Sequence, residues 1–390
     1  MKRILIAILS ICIIVSVASG YVAFAQQLMP DQYALQQVVQ IASLNNPHNK
    51  WTTDTTIINE VVLYDFNDYP NGYVYMLSTD AKETGYIQID VIDGIYSVHS
   101  YSFDGTNEVI SLINNSAIKM PGTYSAAHLS EIDSTKIYYG GSMRYAVVID
   151  DEVVDLASGK KIKETKEELA VKYQSNSARS NTQISIISED EPTWTMVSNY
   201  NNFRLVDMYD FQGDTIQGGH TSTISNHCEP TAGTNIMKYY DLCQGITQLY
   251  SADWLTFNQL YRAMNTNGIT EASPGTPGTY WDVTFSFGYS GILDYMEDCG
   301  VSPANSYRYA WGALININQS AINNIIDTDN PVVLAVNNFP GGDTSDSSGH
   351  AVVAFGYEGN YLILSNGWDK SFHYYAYSVL DVWQYYYFDF

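Results

Sequence analysis

Residues 173–182 read Tyr-Gln-Ser-Asn-Ser-Ala-Arg-Ser-Asn-Thr. Small polar side chains of this kind bury too little apolar surface to repay the entropy of ordering them, so the stretch is expected to be an exposed connector. This is the feature that most restricts the fold. A 390-residue chain interrupted there cannot build one uninterrupted core along its sequence. We place the connector at 172–191 and expect one domain over 26–171 and a second over 192–390, each within the usual range of about 100–200 residues.

Ahead of the first domain, Met1-Lys2-Arg3 is followed by an apolar run over residues 4–18, broken only by Ser10 and Ser16, and then by Ala23-Phe24-Ala25. Positive charge, an apolar stretch and small residues at A-x-A spacing, in that order, are the marks of a secretory signal peptide, assigned to residues 1–25. The run is shorter than the ~20 residues a membrane span needs. The expected location is therefore outside the cell, secreted or at its surface, with no membrane contact once the signal is gone. Cys12 is lost with it.

There are 42 acidic residues against 18 basic ones, a net charge of −24. Such a surface repels nucleic acid and anionic lipid, so neither is expected as a partner. Three cysteines remain for an exported chain: Cys228, Cys243 and Cys299. An odd number leaves at least one thiol free or paired between molecules. Cys243 and Cys299 either bridge each other or are both buried thiols.

The first half alternates short β-branched and aromatic runs with turn residues. Val61-Val62-Leu63-Tyr64, Gly72 to Leu77 and Gly85 to Val91 are separated by Asn67-Asp68-Tyr69-Pro70-Asn71 and Thr79-Asp80. A helical pattern over residues 33–44 precedes them, strands at 138–139, 145–149 and 153–154 follow, and a charged helical stretch at 160–172 leads into the connector. A small antiparallel sheet with a flanking helix is expected, without a Cys/His pair.

Chemistry concentrates in the second half. In Ser225-Asn226-His227-Cys228-Glu229-Pro230-Thr231-Ala232, Ser225 or Asn226 can cap a helix and Pro230 fits its first turn. Cys228 then stands at a helix N-terminus, where unsatisfied N–H groups and the helix dipole favour thiolate over thiol. Far downstream, Ser348-Gly349-His350 opens an apolar strand over residues 350–357. A second strand, 361–365, leads into Asn366-Gly367-Trp368. If the hairpin loop is centred on Glu358, His350 and Asn366 face each other at about 5.5 Å between Cβ atoms. Asn366 would then hold the imidazole while it takes the thiol proton, the logic of a nucleophile–base–orienter triad. Trp368 is expected to shield that hydrogen bond from water.

The helix block Cys-Glu-Pro-Thr-Ala-Gly-Thr-Asn-Ile-Met-Lys-Tyr-Tyr resembles the nucleophile helix of streptopain and related papain-like cysteine peptidases, including those that trim bacteriocin leaders. Ser-Gly-His-Ala-Val-Val-Ala-Phe-Gly-Tyr and Ser-Asn-Gly-Trp-Asp resemble their histidine and asparagine strands. The first half resembles a streptopain-type prodomain, with Leu63-Tyr64-Asp65-Phe66-Asn67 and Gly85-Tyr86-Ile87-Gln88-Ile89. The resemblance implies an α+β fold, a papain-like domain preceded by a small antiparallel-sheet prodomain. It also implies cysteine endopeptidase activity on protein or peptide substrates, without cofactor or metal, in a proenzyme that works as a monomer. Two positions depart from the family pattern. Where a Gln commonly serves the oxyanion hole, this chain has Ser222, with Gln217 the nearest Gln upstream, so Asn226 with the N–H of Cys228 is the substitute. The residue after the nucleophile, usually small, is Glu229, which either favours basic substrates or points to solvent.

Rival readings are weaker on chemistry. His373, in an aromatic strand, reads as a packed histidine. His220 and His227 near Cys228 lack the companions of a zinc site. Asp343 and Asp346 lack the spacing of a calcium loop, and their Gly-rich loop reads as a flap beside the site. With 33 Tyr and 7 Trp the chain also suits a catalytically silent surface or carbohydrate-binding module of the same fold.

Overall fold

The computed structural model describes residues 29–44, 46–119, 136–141, 143–157, 161–177, 194–211, 227–266, 287–310, 317–337 and 349–390. The signal segment, most of the connector, the flap, Asn226, Ser222, Gln217 and His220 lie outside these residues.

Helix α1 (Pro30–Ala42) starts with Pro in its first turn, where the missing N–H costs nothing, and buries Ala34, Val38 and Ile41 at helical spacing. Strands β1 (Thr56–Tyr64), β2 (Pro70–Thr79), β3 (Lys82–Ile92) and β4 (Ile95–Ser102) then form an antiparallel meander. Asp93 and Gly94 at the β3–β4 turn both take positive φ, as a tight hairpin requires. Helix α2 (Glu108–Lys119) follows. Strand β5 (Ile137–Tyr139) pairs parallel with β1, and β6 (Tyr145–Ile149) and β7 (Glu152–Asp155) extend the sheet outward. Helix α3 (Lys166–Ser177) closes this half.

The second half opens with a short strand, β8 (Trp194–Met196), and carries α4 (Cys228–Leu242), α5 (Asp253–Ala263), α6 (Phe287–Asp298) and α7 (Gln319–Ile326). Its other strands are β9 (Asn305–Ala310), β10 (Val332–Asn337), β11 (Gly349–Glu358), β12 (Tyr361–Ser365), β13 (His373–Ala376) and β14 (Val382–Asp389). Helices α4 and α7 pack on the β10–β11 region, and the core between them is built from Ile236, Tyr240, Val332, Leu334, Val353 and Phe355 among others. The mixed α+β character matches the expected class.

Among the described residues, one sheet crosses both halves. A single 14-stranded sheet runs β7-β6-β5-β1-β2-β3-β4-β13-β12-β11-β10-β14-β9, with β8 paired to β11. The join is β4 against β13, through Tyr101↔Tyr374 and Ser100↔Tyr375. Apolar residues from both sides close over it: Ala34, Val38, Tyr75, Ile87 and Tyr101 with Tyr361, Ile363 and Tyr374. Tyrosine is the main large side chain in the interior. Among the described residues, eleven of the twelve largest fully buried side chains are Tyr. Ordinary packing with a hydroxyl to satisfy thus accounts for much of the Tyr content that suggested a sugar-binding surface.

The hairpin that carries the candidate base differs from expectation. Its turn falls at Gly359-Asn360, between the pair Glu358↔Tyr361, and a bulge lies between Ala354 and Gly356. The bulge shifts the register, so that Val353 pairs with Ser365. Asn366 leaves the strand beyond that pair and does not lie opposite His350, whose partner is Val336 of β10.

Candidate active site

Cys228 is the first residue of α4, preceded by His227 outside the helix. Thr231 and Thr234 return their hydroxyls to the carbonyls of His227 and Pro230 at 2.9 and 2.8 Å, which satisfies the Thr hydroxyls inside the helix. Asn235 anchors α4 to the preceding segment. Its Oδ1 accepts from the Val206 N–H at 2.8 Å and its Nδ2 donates to the Val206 carbonyl at 3.0 Å. Two residues on, Met208 ties that segment to both sides of the site. Its carbonyl accepts from His227 Nε2 at 2.7 Å, and its N–H donates to the Gly367 carbonyl at 2.9 Å. Helix α4 and the Asn366–Trp368 turn are thereby fixed to each other through Met208.

His350 lies at the start of β11, buried. Its Nε2 meets the main-chain carbonyl oxygen of Asn366 at 2.6 Å. A carbonyl only accepts, so Nε2 carries the hydrogen and Nδ1 keeps the lone pair. The indole of Trp368 lies flat on the imidazole, with ring centroids 4.8 Å apart and planes 8° from parallel. The Asn366 side chain is engaged elsewhere. Oδ1 accepts from the Trp368 N–H at 3.0 Å, and Nδ2 donates to the Tyr375 hydroxyl at 3.4 Å. Gly367, at φ +78, provides the left-handed turn that brings Trp368 back over His350.

Cys228 and His350 converge through the residue next to the histidine. The main-chain N–H of Ala351 is directed at the Cys228 thiol, alongside those of Glu229 and of Cys228 itself, and all three favour the thiolate. Burial outweighs them and pushes the thiol up to about 11. The same cause brings the His350 imidazole down to about 4, against the opposing pull of its bond to Asn366. The helix-terminus argument therefore gives the right donors and the wrong net sign for this form of the chain. Between those two values both groups are uncharged.

Cys228 is half-buried and borders an apolar cluster drawn from both halves of the chain. Cys228, Met208 and Trp368 pack in one apolar cluster with Leu63, Val74, Met76, Val109 and Leu112.

Glu229 neither reaches solvent nor forms a charged surface. It is 1% exposed, its Oε1 accepts from the Tyr386 hydroxyl of β14, and Gly288 of α6 lies so close that a Cβ there would stand 2.2 Å from Oε1. Burial raises its carboxyl to about 8, so it is neutral near pH 7. His227 is likewise a fixed neutral histidine, brought down to about 4 by burial. His373 is held between Asp369 and the Tyr86 hydroxyl, at 2.8 and 3.1 Å, as a packed histidine. Cys243 and Cys299 are both free thiols. No group of three or more His, Cys, Asp or Glu side chains gathers as a metal site among the described residues.

Residues 200–389 match the Peptidase_C39 like family. The matched stretch is the half that carries Cys228, His350 and Asn366, and the match supports a cysteine-peptidase family for it. No curated protein matches the chain. Among solved structures, the chain is similar to a C39-like peptidase from Bacillus anthracis at 12% identity, over 50% of this chain and 96% of that one, with a TM-score of 0.30. No helix among the described residues of the peptidase-like half, or of the other half, is long and apolar enough to cross a membrane.

Sequence reasoning missed four positions that shape the site. Asn235 gave a faint signal, since a short polar residue in mid-helix calls for a partner. Met208, Tyr375 and Glu108, described below, gave none, because their roles depend on neighbours far away in the chain.

Proposed function

We propose that the chain is an exported cysteine endopeptidase of the streptopain-like kind, made as a precursor and acting on protein or peptide substrates. Cys228 is the nucleophile, His350 the base and Asn366 the orienter. The observation that carries this reading is the convergence at α4. The Cys228 thiol meets the N–H next to His350, while the imidazole is tied through Nε2 to Asn366 and keeps Nδ1 for a proton. The thiol proton passes to Nδ1 as Sγ attacks the peptide carbonyl carbon. The imidazolium then protonates the leaving amine, and water, deprotonated by the same nitrogen, hydrolyses the thioester and restores the thiol. The N–H of Cys228 and the amide of Asn226 are the donors assigned to the oxyanion. Trp368 keeps water from the imidazole.

The first half serves as the cover of the precursor, cut within 172–191. Two observations favour this: its apolar residues share a cluster with Met208 and Trp368 that Cys228 borders, and the Cys228 thiol and His350 imidazole are both uncharged near pH 7 in this structure. The decisive experiment is thiol labelling of Cys228 across pH, with and without His350→Ala, the connector opened in both by an added protease. The rate near pH 7 should fall at least several-fold without His350. Equal, thiol-like profiles in the two proteins sink the catalytic pair.

A further inference from the structure

Glu108 begins α2 in the first half, and it is fully buried. Two tyrosine hydroxyls donate to its carboxylate, one from each half of the chain: Tyr145 of β6 to Oε1 at 2.6 Å and Tyr375 of β13 to Oε2 at 2.6 Å. Tyr375 is also the residue whose hydroxyl accepts from Asn366 Nδ2. Asn366 in turn presents its carbonyl to His350. A continuous buried chain thus runs Glu108, Tyr375, Asn366, His350, from the first half into the candidate site.

We infer that Glu108 is a positioning residue for His350, acting through Tyr375 and Asn366, so that the geometry of the imidazole belongs to both halves of the molecule together. The reasoning is steric and directional. His350 takes its tautomer from the Asn366 carbonyl, and the direction of that carbonyl depends on the conformation of residue 366. Its side chain is pinned at Oδ1 by the Trp368 N–H and at Nδ2 by Tyr375. The Tyr375 hydroxyl has a single hydrogen, and Glu108 takes it at 2.6 Å, which turns the oxygen lone pairs toward Asn366. Without Glu108 the hydroxyl is free to rotate, and a hydrogen turned toward Nδ2 repels it. The first half therefore does more than lie over the thiol.

The inference rests on Cys228 and His350 being the reacting pair, and its test reads something other than activity. Full-length Cys228→Ala protein, which cannot cut itself, is labelled with ¹⁵N, and the His350 ring signals are identified by comparison with His350→Ala. The parent should show one tautomer, hydrogen on Nε2. Glu108→Ala and Tyr375→Phe should each give mixed tautomers and, by weakening the Asn366 bond that opposes burial, lower the imidazole midpoint further below its ordinary value. The double variant should do no more than the larger single change, because both act on one chain. Parent-like His350 signals in folded Glu108→Ala, with only its unfolding midpoint lowered, overturn the positioning role. Independent, additive changes overturn the route through Tyr375. Should Glu108→Ala fail to fold, Tyr375→Phe removes a single oxygen, and unchanged His350 signals in it overturn the inference alone. Peptide hydrolysis is assayed separately on the Cys228-bearing chain: a responsive tautomer without hydrolysis rejects the proposed function and leaves the coupling standing.

Discussion

Trp368 does two things at once: its indole covers one face of the His350 imidazole, and its main-chain N–H holds the Asn366 side chain. Substitution leaves the second contact in place, since it is made by the main chain. Trp368→Ala therefore removes stacking and water exclusion only. An aromatic pair is worth about 0.5–1.5 kcal/mol beyond its area, which predicts a turnover loss of roughly three- to tenfold in a folded protein. Steady-state kinetics beside a denaturation curve checks this, and wild-type turnover returns Trp368 to plain packing. At this scale the sequence was informative. His350 meets Asn366 and Trp368, and Cys228 meets the N–H of the residue next to His350; side chains of special chemistry stand out in a sequence by type. The sequence suggested a side-chain bond from Asn366 to His350; the contact is made instead by the main-chain carbonyl, because which group an asparagine offers depends on register.

Helix α4 is fastened to its surroundings by polar side chains that look exposed in a sequence. Glu229 joins its first turn to β14 through Tyr386, in space that Gly288 of α6 leaves open. Its carboxyl is raised to about 8 in the folded chain from an ordinary 4.5. The folded protein thus holds a proton that the unfolded chain releases, so this contribution to stability is complete below about pH 4.5 and is lost as pH climbs to about 8. Glu229→Gln, which cannot ionise, should flatten that limb of the pH–stability curve, read as urea midpoints at pH 5 and pH 8. The same alkaline decline in both proteins rejects the assignment. Element existence was mostly legible here: residues 361–365 and 145–149 form the strands expected. The hairpin register was not. The bulge before Gly356 lies where β8 packs against β11, and a Cβ on Gly356 would stand 2.2 Å from the Met196 sulfur. A strand supplied from 160 residues upstream leaves no mark in the local alternation.

For the whole molecule, the order of parts predicts a processing event. Purified full-length chain should convert to a product of about 200 residues, and Cys228→Ala chain should not convert by itself. If both stay full length while the wild type hydrolyses peptides, the first half is not an inhibitory cover. The polar stretch that suggested two domains is real in the sequence, yet the sheet passes across the halves. Strand pairing between residues some 270 positions apart has no local signature, whereas a run of Ser and Asn has an obvious one.

The seam between β4 and β13 is narrow, only two residue pairs wide in register, while each strand is fully paired on its other side. If the connector is cut as proposed and the first half leaves, β13 turns from an interior strand into an open margin, with backbone donors and acceptors facing outward along Tyr374 and Tyr375. Such a margin templates another extended chain. On that reading the remaining half would carry an adhesive border, and the first half is the segment already shaped to cap it.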